Sequence, residues 1–267
     1  MKKITLEEQK EILLDMLKTL DRFCEEQGIR YFMASGSLLG TIRHKGFIPW
    51  DDDIDVVMPR NDYERFLSTF HTLKPYKVVS MHNNDQYYLQ FGKLIAENTV
   101  LKEPVDSDLK IGVYIDLFPL DNMSDDLEVA KKFYHKVDRI KKKLMIRNFV
   151  WLDQRPLYQN VIIKCGKALM REKRETLLER IDKESRTFRS NAFSKYVGVV
   201  CSGTYGEKEI MESEWYRETL RMPFEHLEVS VPSGYDQILK QMYGDYMTWP
   251  PLDKRVSRHT YEVWSTI

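Results

Sequence analysis

An α/β fold of the mixed, α+β kind is what this sequence predicts. Short β-prone runs alternate with helical-period segments over residues 1–123, and strand-like runs return near residue 195 after a long helical stretch. The expected organisation is a core of mixed sheet and flanking helices in 1–123, a basic helical insertion in 124–190, and an aromatic-rich segment, 191–267, that returns to the core. With 267 residues and 42% apolar content the chain can bury a core of that size.

The elements follow in order. Thr5 to Glu8 forms a capping-box pattern, and Leu6, Leu13, Leu17, Leu20 and Cys24 recur at helical spacing until Gly28, where a helix should stop. Ile29–Ala34 is a β-prone run ending on the small-residue turn Ser35-Gly36-Ser37, with a brief helix expected from Leu38 to His44. Ile54, Val56 and Met58 alternate with Asp55 and Val57 as a strand does, and Asn61 is placed to cap a helix running to about Leu73. Strands are expected over 76–81, 87–96 and 111–118. Helix should fill most of 124–188, with a break near Arg155-Pro156. β-like runs at 195–201 and 222–231 precede a helix over 233–243.

Composition narrows the function classes. No run approaches 18 apolar residues, so a membrane-spanning helix is not expected. The N-terminus turns polar where a secretory leader would be apolar, and three scattered cysteines (Cys24, Cys165, Cys201) lack metal-ligand spacing; both predict a cytoplasmic protein with reduced thiols. The net charge of zero conceals an asymmetry, because residues 131–190 hold 18 Lys and Arg against 7 Asp and Glu. Such a stretch is either a solvated helical surface or a patch for something anionic, a phosphate-bearing substrate or peripheral contact with the inner face of a membrane. Aromatics are not interleaved with the basic residues in a base-stacking pattern, so no nucleic-acid partner is expected.

The chemistry concentrates in the stretch FIPWDDDIDVVMPR, residues 47–60. Residues two apart on a strand share a face, so Asp53 and Asp55 project together, roughly 7 Å apart at their roots. Hard carboxylate oxygens suit Mg²⁺ or Mn²⁺, and two such ions can be bridged at that spacing. Asp116 is isolated inside another β-like run and needs a metal or partner to offset its burial. The turn Ser35-Gly36-Ser37 between a strand and a helix offers backbone N–H groups to phosphate. An EF-hand is excluded, since Val56 stands where that loop requires glycine. A DxD glycosyltransferase and an acidic turn without a role are the alternatives from these residues alone.

Strand, Gly-Ser turn, short helix, Asp-x-Asp strand and a distant strand aspartate together resemble the nucleotidyltransferase fold. Within it, residues 36–55 (GSLLGTIRHKGFIPWDDDID), followed by Met58-Pro59-Arg60-Asn61-Asp62-Tyr63, look like the LicD family. Ile115-Asp116-Leu117-Phe118-Pro119-Leu120-Asp121 matches that family's next signature, and Tyr243-Gly244-Asp245-Tyr246-Met247, Pro250-Pro251 and His259 also look familial. The basic helical middle carries the least resemblance.

The resemblance implies transfer of phosphocholine from CDP-choline to a sugar hydroxyl of a glycan or lipid-linked glycan precursor, of teichoic acid or lipopolysaccharide type, with CMP released. CDP-ribitol, CDP-glycerol and a nucleoside triphosphate are the alternative donors for the same fold. On this reading Asp53, Asp55 and Asp116 are catalytic and hold Mg²⁺, while Gly36 and Ser37 bind phosphate. Arg43 is a candidate phosphate fork, Lys93 points either at the nucleotide or into solvent, and His44 orders the loop or moves a proton. The quaternary ammonium calls for aromatic faces, for which Trp50, Trp215, Tyr216, Tyr243, Tyr246 and Trp249 are candidates. Asp52 is expected to point away from Asp53 and Asp55.

Overall fold

The computed structural model describes every residue except 71, 102–104, 154, 191, 257–260 and 267; His259 lies outside the described residues. In chain order the elements are β1 (Lys2–Lys3), α1 (Leu6–Gln27), β2 (Phe32–Met33), α2 (Ser35–His44), β3 (Ile54–Pro59), α3 (Arg60–Thr69), β4 (Tyr76–Val79), β5 (Gly92–Ala96), β6 (Thr99–Leu101), β7 (Tyr114–Asn122), α4 (Leu127–Asn148), α5 (Leu157–Leu169), α6 (Arg174–Ser185), β8 (Tyr196–Gly198), β9 (Met211–Glu212), β10 (Thr219–Phe224), β11 (Leu227–Pro232), α7 (Tyr235–Tyr243) and β12 (Val263–Ser265). The mixed α/β class expected from the sequence is the one observed.

The central sheet runs β2-β3-β7-β5-β4, with β3 and β7 parallel and the other neighbours antiparallel. β7 is long enough to take two partners along one edge. Its first half pairs with β5, and Asp121 and Asn122 pair with β8, which continues to β9. Ile54, Val56 and Met58 of β3 and Ile115 and Leu117 of β7 are fully buried, which fixes the opposite face, with Asp55 and Asp116, for the cleft. α1 closes the core with Leu13, Leu17, Leu20 and Cys24, as its spacing predicts. Thr5 and Glu8 form the reciprocal capping box, and Gly28 ends the helix at φ 59°, a conformation glycine adopts without a steric penalty. α4 and α6 pack a second small core of Phe133, Tyr134, Val137 and Ile140 against Leu177, Leu178 and Ile181.

Several elements differ from expectation. α2 begins at Ser35 rather than Leu38, because Leu38 N–H donates to the Ala34 carbonyl at 2.9 Å and closes a turn through the small residues. α3 begins at Arg60 directly after Pro59, so Asn61 sits inside the first turn rather than at the N-cap. The helix stops at Thr69, short of Leu73. Residues 222–231 are no single run but the arms of a hairpin, β10 and β11, whose tight turn holds Glu225 at φ 53°. Of the run at 87–96 only Gly92–Ala96 is strand, since those are the residues that β4 and β7 pair. The helical middle breaks near Arg155-Pro156 as expected, and again between α5 and α6.

Arg60 and Asp121 join the two signature segments. The guanidinium donates from Nε and Nη2 to the two carboxylate oxygens at 2.6 and 2.7 Å, with both side chains buried. Arg60→Met should therefore destabilise the fold by about 3–5 kcal/mol, because Asp121 would stay buried without its partner. Arg60→Met with Asp121→Leu should recover most of that loss in urea denaturation.

Candidate active site

A cleft of about 580 Å³ lies along the sheet face that carries Asp55 and Val57 of β3 and Phe118 and Leu120 of β7. Asp51, Asp53, Asp55, Gly36, Arg43 and Trp50 line it toward the start of β3. Gly198, Gly203, Tyr205, Glu209 and Tyr216 line it toward the far end of β7, where β8 pairs.

The parallel register sets Asp55 directly opposite Asp116, and the antiparallel register sets Lys93 opposite Asp116 on the other side. Lys93 Nζ donates to Asp116 Oδ1 at 2.7 Å and lies 3.1 Å from the centre of the Tyr114 ring. Of the two sequence readings for Lys93, the solvent-facing one is overturned: the residue is 2% exposed and spends its ammonium on the acids. Carboxylate oxygens of Asp51, Asp52 and Asp53 lie within 4.8 Å of one another. The expectation that Asp52 points away is thus corrected. Its segment is held down by α1, where Gln9 Nε2 donates to the Asp52 carbonyl at 2.7 Å and Lys10 Nζ to that of Pro49 at 3.1 Å. Burial first, and then repulsion from Asp53, Asp116 and Asp51, push the Asp55 carboxyl well above the usual carboxylate range, with Lys93 acting in opposition. A hard, oxygen-rich donor set under such mutual repulsion fits a divalent cation.

Gly36 has a packing reason to be glycine. A Cβ there would stand 2.8 Å from Asp51 Oδ2, so the bare backbone lets the carboxylate approach the first turn of α2. Ser35 enters that turn at φ 47°. The Ser37 hydroxyl is buried and accepts the Asp55 N–H at 2.9 Å; it clamps helix to strand rather than standing open in the cleft.

Arg43 is likewise engaged. Its Nη1 donates to the Tyr246 carbonyl at 2.7 Å and its Nε to His44 Nε2 at 2.9 Å, which makes His44 an acceptor. Burial and then the Arg43 charge lower the His44 pKa, in keeping with a ring that accepts the Arg43 N–H. Trp249 stacks edge-on against His44 and Trp50 at 4.8 and 6.0 Å. Arg255 lies 5.9 and 5.0 Å from the Trp50 and Trp249 rings, so this aromatic cluster already faces a cation. Tyr246 lines the cleft, its hydroxyl donating to Asp236 at 2.8 Å.

The far end holds residues that sequence reasoning missed. Glu209 is 7% exposed; its Oε1 accepts the N–H groups of Thr204 and Tyr205 at 2.6 and 2.7 Å, while its buried Oε2 has no hydrogen-bond partner among the described residues. Burial raises its carboxyl above the ordinary value. Tyr205 meets Tyr243 edge-on at 5.4 Å, and burial, Tyr205, Asp55 and Asp51 hold the Tyr243 phenol well up, which links this end to the acids. Glu209 carries no local signal in the sequence, since it sits in a short single turn flanked by other charges. Glu225 went unnoticed for the same reason. Its N–H donates to the Lys45 carbonyl at 2.7 Å and its Oε1 accepts the Phe47 N–H at 3.0 Å, fixing the loop before the aspartates.

A family model described as LicD/FKTN/FKRP, nucleotidyltransferase domain, matches residues 28–154. A Haemophilus influenzae protein named lipopolysaccharide cholinephosphotransferase LicD is 31% identical over 271 residues, covering 99% of each chain. The uncharacterized Rickettsia typhi protein RT0683 is 26% identical over 134 residues, 49% of this chain and 42% of that one.

Lys93→Met should destabilise the protein by about 3–5 kcal/mol in urea denaturation, because it removes the ammonium from a buried acid pair. Adding Asp116→Asn should return part of that loss rather than deepen it.

Proposed function

Because this chain belongs to the LicD family, we propose that it is a phosphotransferase that moves phosphocholine onto a hydroxyl of a glycan precursor. CDP-choline is the donor, CMP the leaving group, and the acceptor a lipid-linked glycan of lipopolysaccharide or teichoic acid type. The supporting observation is the register that sets Asp55 opposite Asp116, with Asp51 and Asp53 lining the same cleft and Asp52 beside them. Asp53, Asp55 and Asp116 would hold Mg²⁺ or Mn²⁺, one ion or two, with Asp51 and Asp52 alongside. A bound ion would offset the negative charge that grows on the diphosphate as CMP departs.

The chain's own groups do the rest. In the transfer the acceptor oxygen bonds to the choline-bearing phosphorus, its hydroxyl proton passes to solvent, the bond from that phosphorus to CMP breaks, and the electron pair leaves with CMP. Asp55 and Asp116 act as ligands first, since a carboxylate bound to a cation is a weak base. Lys93 holds Asp116 in place, and His44 and Arg43 fix the segment that carries Tyr246 over the cleft.

Trp50 and Trp249 already face Arg255, so the choline methyls belong at the far end, among Tyr205, Tyr216 and Tyr243 beside Glu209. A quaternary ammonium donates no hydrogen bond, and a buried carboxylate ringed by tyrosines suits it.

CDP-choline with Mg²⁺ should raise the melting temperature; no shift with any cytidine nucleotide would refute the reading. Asp53→Asn should cut CMP release by at least ~10³-fold while leaving the fold intact. Glu209→Gln keeps an acceptor for the Thr204 and Tyr205 N–H groups. It should raise KM for CDP-choline about tenfold or more, and remove any preference over the donor's uncharged carbon isostere.

A further inference from the structure

α5 is built inside out. Its large apolar side chains stand exposed, Leu157, Tyr158, Val161, Ile162 and Leu169 at 68, 63, 45, 64 and 83%, while Asn160 is its one buried residue. At about 100° per residue these five positions, with Cys165 and Ala168 between them, fill one continuous arc of about 140°. That arc contains no polar side chain other than the tyrosine hydroxyl and the Cys165 thiol. The opposite side rests on α4, where Ile146 packs against Gly166 and Arg147 donates to the carbonyls of Lys167 and Met170 at the end of the helix. A soluble surface rarely leaves so much contiguous apolar area uncovered.

The surroundings say what covers it. The helix lies inside the 131–190 stretch with its 18 Lys and Arg against 7 acids, and exposed Lys164 borders the apolar arc. Arg171 and Lys173 follow directly, both exposed, and Trp151 stands 51% exposed just ahead of the helix. An apolar face edged by cations, with an exposed indole nearby, is the pattern of a helix lying in the plane of a bilayer surface. Thirteen residues give about 20 Å of helix, too short to cross a hydrocarbon core of about 30 Å. None of the described helices is long and apolar enough to span.

We propose that α5 docks the protein onto a bilayer carrying anionic lipid headgroups, its apolar face in the acyl boundary and the surrounding Lys and Arg on the headgroups. This goes beyond the transferase reading and does not depend on which donor the cleft takes. It would place the enzyme at the surface where a lipid-anchored acceptor resides.

The test is co-sedimentation of the full chain with phosphatidylcholine vesicles, with and without about one third phosphatidylglycerol. Binding should require the anionic lipid and weaken with salt. Ile162→Asp with Leu169→Asp should lower the partition coefficient at least tenfold, and Lys164→Glu by a smaller factor. Because these side chains already face solvent, circular dichroism and donor-induced thermal stabilisation should be unchanged, which separates failure here from failure of the transferase reading. Absence of binding by the unaltered chain, or equal binding by the double variant, would overturn the proposal. So would a concentration-dependent dimer that Ile162→Asp dissolves, which would assign the face to a second copy.

Discussion

The site depends on the parallel pairing of β3 with β7 in the one register that sets Asp55 opposite Asp116. A slip by one residue would turn the carboxylates into the core and Val56 into the cleft, so the apolar face of the same two strands enforces the chemistry of the other. The register has a lock at its far end. Arg60 follows β3 immediately, Asp121 lies near the end of β7, and their paired hydrogen bonds allow little sliding. What looks like two separate signatures in the sequence is therefore a single mechanical unit.

Electrostatics then sets what the strands can tolerate. Five aspartates share a small region, and the folded chain answers them with Lys93 on the neighbouring strand and with the first turn of α2 beside Asp51. Holding the acids this close is a cost met by the core below, where Ile54, Val56, Ile115 and Leu117 have no exposure at all.

Much of this was legible in the sequence because it was written in local patterns. The capping box of α1, the alternation in β3 and the aspartates on one strand face are all short-range signals. The roles of Lys93 and Ser37 were not legible in the same way. A lysine in a strand and a serine in a turn look alike whether they face water or a partner, and only the pairing of β5 with β7 and of α2 with β3 decides. Glu209 and Glu225 are further from the reach of pattern, since each acts on residues brought near by the tertiary fold. The hairpin at 219–232 was read as one run because its turn uses Glu225 rather than glycine or asparagine at the positive φ.

Glu225 has a consequence for how such a protein can change over generations. The side chain fills the space where a Cβ on Gly46 would be and accepts the Phe47 N–H, while the Glu225 backbone N–H holds the Lys45 carbonyl on the other side of that glycine. A loop beside the aspartates is thus shaped by a residue some 180 positions later in the chain. Neither end changes without the other: a larger residue at Gly46 displaces the Glu225 side chain and costs its hydrogen bond to Phe47. These two distant stretches therefore change together rather than separately.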